Sequence, residues 1–255
     1  MAQYTQRPMR FPENIFQTIF EQLLPTGCIV CQKFQKYSIC NYCLDIVSNE
    51  GIFNYQSCDQ CGLALRPEEM ALQCCASCQL SNPYFDETYC LDRYTGILQV
   101  PLHEFKYQKR IAFGCALSDV WNKLLSWQLK DIDASYLLPV PLSTQKLAQR
   151  GFNQSWEIAK RIHCGRHIQK SPYMLWRHHY SEHQAGSNLE NRYLSTRGMF
   201  YVQPKHIEQL QNKTVIVFDD VMTSGATLNE IARILKDNGV SRVINWVLLR
   251  AVRPI

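Results

Sequence analysis

VIVFDDVMTSGAT, residues 215 to 227, is the stretch from which the fold is read. Thr214 to Phe218 is a run of apolar residues after a threonine, the composition of a strand buried on both faces of a parallel sheet. It ends in two adjacent carboxylates, Asp219 and Asp220, which such a strand delivers to its C-terminal edge. Thr223, Ser224, Gly225, Ala226 and Thr227 follow, and apolar residues then recur at helical spacing through Leu228, Ile231, Ala232, Ile234 and Leu235 to a stop at Asn238-Gly239. A second apolar strand, Val243 to Leu249, completes a βαβ unit with a right-handed crossover.

A small-residue loop before a helix offers N–H groups, hydroxyls and the positive end of the helix dipole to a phosphate. The neighbouring carboxylates can accept the two vicinal hydroxyls of a ribose. One loop therefore suits both ends of ribose 5-phosphate, and the site is expected at the carboxyl ends of the strands.

Leu137 to Leu142 reads as a short strand that leads through a polar loop into a helix containing Trp156, Ile158, Ala159 and Ile162. The loop carries Lys146, Arg150 and Gly151 just before Asn153, a helix-capping residue type, so cations and main-chain N–H groups could converge there on an anion. Between Cys90 and Lys130 a turn at Tyr94 and Gly96 and a helical pattern from about 109 to 127 read as a segment joining two domains. Within it, Phe105-Lys106-Tyr107 sets a cation between aromatic rings that could meet a phosphate or a base.

The other half of the organisation comes from cysteine. Ten of the 12 cysteines lie between Cys28 and Cys90. Cys28, Cys31, Cys40 and Cys43 form one pair of C-x-x-C units, and Cys58, Cys61, Cys75 and Cys78 form another. Two such knuckles close a tetrahedral shell of four thiolates with no open position, so one or two structural zinc ions are expected. Spacing alone leaves open a crossed wiring of the pairs and a role for Cys74 or Cys90. Charge divides at the same place. Residues 1–90 hold 5 Lys/Arg and 9 Asp/Glu, a net of −4, against a chain total of +5, so the remainder carries +9. A surplus of that size is compatible with phosphates or nucleic acid as partners.

PENIFQTIFEQLLP, with Ile15, Phe16, Ile19, Phe20, Leu23 and Leu24, reads as an amphipathic helix covering the protein's own core. MAQYTQRPMR has no apolar signal region, and no run approaches the ~20 apolar residues of a membrane span, so a cytoplasmic protein is expected. The expected divisions are 1–27 for that helix, 28–90 for the cysteine module and 91–255 for an α/β domain.

Hydrophobic strand, Asp219-Asp220, a variable pair and Thr223 to Thr227 together resemble the phosphoribosyl pyrophosphate motif of type I phosphoribosyltransferases. More of the chain resembles one subgroup, the ComF family with its GntX-type members. The resemblance rests on the cysteine module, Tyr94-x-Gly96, Phe105-Lys106-Tyr107, Pro139-Val-Pro-Leu142 and Arg150-Gly-Phe-Asn-Gln154, in this order. It implies a type I phosphoribosyltransferase-like parallel sheet, five-stranded or similar, flanked by helices, with a small N-terminal Cys-rich zinc-binding module. It also implies that Asp219 and Asp220 bind the ribose hydroxyls directly or through magnesium, that Thr223 to Thr227 wrap the 5-phosphate, and that Lys146, Arg150, Gly151 and Asn153 belong to a loop facing pyrophosphate. Arg177, Gln184 and Arg192 match a mobile loop, in which Ser187 and Ser195 depart from the usual leucine and asparagine. His178, His179 and His183 in that loop are read as solvated groups ahead of acid–base groups.

The family role implied is in natural transformation, the handling of incoming single-stranded DNA, with other DNA-uptake or recombination proteins as partners. Tyr107, Phe152 and Trp176 are candidates to stack bases if exposed, and Trp156 is read as core. Two functional classes share the pocket: a ligand-binding adaptor in DNA processing, and an active phosphoribosyltransferase with an unidentified nitrogen acceptor. No acceptor-recognition element is legible between Cys90 and Lys130, which favours the adaptor.

Overall fold

The computed structural model describes residues 26–178 and 197–251. The expected helix around Ile15 to Leu24, and Gln184, Arg192, His179 and His183 of the expected mobile loop, lie outside the described residues.

Among the described residues two cysteine modules come first and share one local recipe. In the first, Thr26–Gly27 (β1) and Phe34–Gln35 (β2) pair antiparallel around a knuckle, and the helix Asn41–Glu50 (α1) follows. The second leads from its own knuckle to the helix Ala76–Ser81 (α2). Cys28 N donates to Lys33 O and Gln32 N to Cys28 O; in the second module Cys58 N donates to Leu63 O and Gly62 N to Cys58 O. Gln32 and Gly62 both take a left-handed conformation, at φ 60° and 67°, which turns the chain back after the second thiol. A side chain at Gly62 would also meet Cys90 Sγ at 2.6 Å. The remaining thiols of each module sit at a helix start: Cys40 is the N-cap of α1 and Cys75 that of α2.

The main body contains Glu87–Arg93 (β3), the helices Gln99–Tyr107 (α3) and Ile111–Leu124 (α4), Tyr136–Pro139 (β4), Thr144–Arg150 (α5), Gln154–Ala159 (α6) and Gln169–Lys170 (β5). The antiparallel pair Leu175–Arg177 (β6) and Phe200–Val202 (β7) follows, then Ile207–Leu210 (α7), Thr214–Met222 (β8), Ala226–Asp237 (α8) and Arg242–Arg250 (β9). Five strands form one parallel sheet in the order β3-β9-β8-β4-β5. The fold class expected from the sequence is thus the one observed. From β4 the chain moves outward to β5, and from β8 it moves the other way to β9. The crevice between the ends of β4 and β8 is therefore the topological switch point, where open α/β sheets bind their ligands.

Alternate residues of the central strands face opposite sides. Ile216, Phe218, Ile244 and Trp246 pack in a cluster with Phe105, Trp121 and Ile158 of the helices and with Ile29, Ile39, Cys43 and Val47 of the first cysteine module. Val215, Val217, Val243 and Val247 pack with Leu228, Ile231 and Leu235 of α8, with Leu175 and Phe200, and with the cysteines of the second module. The two modules therefore cover different sides of the sheet.

Several sequence expectations change here. β3 runs through the expected boundary at residue 90, so Glu87–Arg93 belongs to the sheet. The segment expected to join domains is core: Leu102, Phe105, Leu117 and Trp121 are buried, and Gly114 lets the Phe105 ring lie where a β-carbon would be 2.6 Å from it. Thr144–Arg150, expected as loop, is a short helix whose N-cap, Ser143, accepts from Lys146 N at 3.3 Å. β8 does not end at the acids but runs on to Met222, carrying them within the ladder, with Asp219 opposite Val247 and Met222 opposite Arg250.

Candidate functional site

At the switch point a pocket of about 280 Å³ is lined by Lys146, Arg177, Asp219, Val221, Met222, the loop Thr223 to Thr227, and Leu228. Three separately read pieces of sequence thus meet in one place. α5 supplies Lys146, β6 supplies Arg177, and the end of β8 with the start of α8 supplies the rest. Gly225 is the N-cap of the 12-residue α8 at φ 81°, and a β-carbon there would be 2.7 Å from Met222 Cε. Having no side chain, Gly225 contributes no side-chain acceptor to the first-turn N–H groups, which suits them to an external anion. Ser224 Oγ accepts from Ala226 N at 3.4 Å.

The two carboxylates are buried, and their surroundings differ. Asp220 pairs with Lys106 Nζ at 2.6 Å, although 114 residues separate them in sequence. Sequence reading singled out Lys106 but had no signal for this partner. Asp219 Oδ1 accepts from Ser155 Oγ at 3.3 Å and from Asp220 N at 2.9 Å. Burial, and then the adjacent Asp220 carboxylate, push the Asp219 carboxyl well above the usual aspartate range, with Lys106 offsetting only part of this. A buried carboxylate under this repulsion is a favourable seat for a cation or for hydroxyl donors.

The expected pyrophosphate loop divides. Lys146 reaches the pocket, whereas Arg150 and Asn153 are engaged beside it. The Asn153 side chain accepts from Ser155 N and Trp156 N, capping α6, and donates to Val140 O at 3.0 Å, so it holds the end of β4 to α6. That places Ser155 against Asp219. Gly151 is left-handed at φ 81° and closes α5. Arg150 lies over the Tyr107 ring at 5.3 Å, and Tyr107 also meets His103 at 4.5 Å. Of the candidate stacking residues, Tyr107 is 61% and Trp176 42% exposed, whereas Phe152 stacks on buried Phe105 with ring centroids 5.0 Å apart. Trp156 is half-buried.

The cysteine wiring takes the simpler of the expected forms. Cys28, Cys31, Cys40 and Cys43 bring their sulfurs within 4.8 Å of one another, and so do Cys58, Cys61, Cys75 and Cys78. Cys74 and Cys90 belong to neither group. Cys31 to Cys40 and Cys61 to Cys75 are both 3.7 Å between sulfurs. A regular tetrahedron with metal–sulfur bonds of about 2.3 Å has edges of about 3.8 Å, and a disulfide would need about 2.05 Å. Both sets therefore fit a zinc ion, with Cys40 N and Cys43 N pointing at the Cys28 and Cys40 sulfurs at 3.4 Å. Burial opposes ionisation of Cys28, yet backbone hydrogen bonds at Cys31, Cys40 and Val30 bring its thiol down to about 6. Hydrogen bonds from Cys61 and Cys78 draw Cys58 far below the ordinary thiol range. In the same clusters burial pushes the Cys43 thiol up and hydrogen bonding with Cys58 pushes the Cys78 thiol up, so four sulfurs packed this closely resist ionising together without a cation among them.

A phosphoribosyl transferase domain model matches residues 178–253. The chain is 25% identical over 234 residues to competence protein F of Haemophilus influenzae, covering 88% of this chain and 96% of the relative. It is 26% identical over 246 residues to DNA utilization protein YhgH of Escherichia coli O157:H7, covering 90% of this chain and 99% of that protein. Competence protein ComFC of Streptococcus pneumoniae is 25% identical over 134 residues, 52% of this chain and 56% of the relative. The resemblance read from the motifs thus extends along nearly the whole chain. Among the described residues no helix is long and apolar enough to cross a membrane.

Proposed function

We propose that this ComF-like chain, with its phosphoribosyl transferase domain, binds phosphoribosyl pyrophosphate or a related 5-phosphoribosyl ligand together with magnesium, and uses that binding in handling single-stranded DNA. The observation that carries the reading is the convergence of Lys146, Arg177, Asp219 and the loop Thr223 to Thr227 on one pocket at the switch point. The loop and the N-terminus of α8 suit the 5-phosphate. Lys146 and Arg177 suit the pyrophosphate, while Arg150 lies over the Tyr107 ring. Asp219 suits the ribose hydroxyls or magnesium, because a cation relieves the repulsion between the two acids.

The DNA part rests on the relatives' names, on the basic surplus outside the cysteine region and on exposed aromatic rings beside cations. Tyr107 is the best placed of these. It lies next to Lys106, which holds Asp220, and beneath Arg150. A base stacked on Tyr107 would sit beside the ribose acids, which links the two ligands physically. Phe34 and Leu80, exposed on the cysteine modules, suit contacts with other proteins of DNA uptake or recombination.

Titration calorimetry of phosphoribosyl pyrophosphate with magnesium tests the reading, on wild type and on Asp219→Asn/Asp220→Asn, without and with single-stranded DNA. Micromolar wild-type binding that the double variant lacks, with an affinity changed by DNA, is expected. A folded, zinc-loaded wild type that binds nothing would overturn the ligand assignment. Pyrophosphate release with a nitrogen nucleophile present would instead favour the transferase.

A further inference from the structure

Arg250, the last residue of β9, is buried, and its guanidinium joins two parts of the molecule that are far apart in sequence. Its Nε donates to Cys61 O at 2.9 Å, a main-chain carbonyl within the second cysteine cluster. Its Nη1 donates to Met222 O at 3.0 Å, to Thr223 O, and to Ala251 O at 2.9 Å. Met222 and Thr223 are where β8 ends and the pocket loop begins. A guanidinium can hold carbonyls on two sides at once because its donors are fixed in one plane; an ammonium cannot reproduce that fork.

The same module touches the pocket loop by a second route. Phe85, just after α2, lies 3.8 Å from where a β-carbon of Gly225 would be, and Tyr84 N donates to Asn229 Oδ1 in the first turn of α8 at 2.7 Å. Asp86 then pairs with Lys236 near the end of that helix at 2.8 Å. Both ends of α8 are thereby tied to the chain leaving the second cluster. The first cluster is docked elsewhere, on α4, through Ser38 Oγ to Asp119 Oδ2 at 3.1 Å and Lys123 over the Tyr37 ring at 5.5 Å.

We propose that Arg250 is the positioning residue of the phosphate loop and that the second cysteine site is its anchor, so that ligand binding depends on the metal at Cys58, Cys61, Cys75 and Cys78. The metal at the first site contributes to the fold without setting the loop. Arg250 touches no ligand in this scheme; it fixes the carbonyls of Met222 and Thr223 and so the backbone that presents the loop's N–H groups. The ligand part rests on the phosphoribosyl reading above, but loop order does not.

The test compares full-length wild type with Arg250→Lys, Cys78→Ser and Cys31→Ser. Zinc per chain, amide hydrogen exchange in peptides covering residues 219–230, and affinity for phosphoribosyl pyrophosphate with magnesium are measured on each. Arg250→Lys should keep both zinc ions yet exchange faster in 222–228 and lose affinity about tenfold or more, the scale on which hydrogen bonds supporting a metal site act. Cys78→Ser should lose one zinc and show the same two changes. Cys31→Ser should lose one zinc and leave both the exchange of residues 219–230 and the affinity unchanged. Unaltered exchange in Arg250→Lys and Cys78→Ser, or an equal rise in Cys31→Ser, would overturn the proposal. If Arg250→Lys does not fold, the two cysteine variants decide it. Loop exchange that follows the second site in a protein that binds no ligand would leave the coupling standing and remove only the phosphoribosyl assignment.

Discussion

The two cysteine modules start from the same knuckle and helix-start geometry, yet in the first Cys31 and Cys40 are partly open to solvent, whereas all four thiols of the second are buried. The first sits beside α4 on the side of the sheet that carries Phe218 and Trp246. The second packs into the side shared with α8 and is hydrogen-bonded through Arg250 to the pocket loop. A local metal-binding recipe therefore says what a module can hold, and its docking decides what depends on it. Burial also sets the exchange behaviour expected of each metal, since a chelator must reach the sulfur to displace it.

The largest effect that could break this comparison is staged removal of zinc. With a competing chelator, the first site should release its ion well before the second. Loss of the second ion should bring the larger drop in the unfolding midpoint, on the order of 10 °C, because metal binding at such a site is folding free energy. Calorimetric unfolding alongside metal release would show it, and release in the opposite order would reverse the ranking.

A smaller effect sharpens the contrast between support and function inside the pocket. Asp219 has its carboxyl raised by burial and by Asp220, so ionising it costs more in the folded state than in the unfolded chain once pH passes the ordinary aspartate range. Stability from this group is greatest in acid and falls as pH rises above the ordinary aspartate range. Asp219→Asn keeps the acceptor for Ser155 Oγ and removes the repelled charge. It should stabilise the chain at neutral pH by something on the order of 1 kcal/mol while weakening the ligand, with the gain shrinking toward pH 4. Denaturant unfolding at several pH values reads this directly, and a destabilised variant at pH 7 would contradict the assigned repulsion.

The smallest effect concerns the first module's dock. Ser38→Ala removes the exposed hydrogen bond to Asp119 and should cost no more than about 0.5 kcal/mol, with ligand affinity unchanged. A larger loss, seen by the same unfolding measurement, would mean that the first module supports the body more than its exposed contacts suggest.

Much of the fold was legible because its decisive features are local. The apolar runs of β8 and β9, the helix between them and the cysteine knuckles follow from periodicities and spacings within about thirty residues of one another. Asn153 was legible as a helix cap and is one. α3 was not, because Pro101 and a mix of polar residues give Gln99–Tyr107 little amphipathic pattern. The edge strand β3 was hidden among the cysteines, since Glu87, Thr88, Asp92 and Arg93 leave it only three consecutive less polar residues, Tyr89 to Leu91.

The candidate site was legible in its loop and less so in its framework. Asp219, Asp220 and Thr223 to Thr227 come from one contiguous stretch whose residue types name their chemistry. Lys106 against Asp220, Ser155 against Asp219 and Arg250 against Cys61 carry no spacing that could announce them. The sequence by itself determined the βαβ unit, its small-residue loop and the C-x-x-C knuckles, because strand alternation, helix termini and knuckles are built by neighbours along the chain, whereas the pairing of the knuckles into two sets of four came from the structure. Only the tertiary structure decided which cysteine module stands behind the pocket and that Lys106 and Ser155 hold its two acids, because these contacts are set by packing between segments 64 to 189 residues apart.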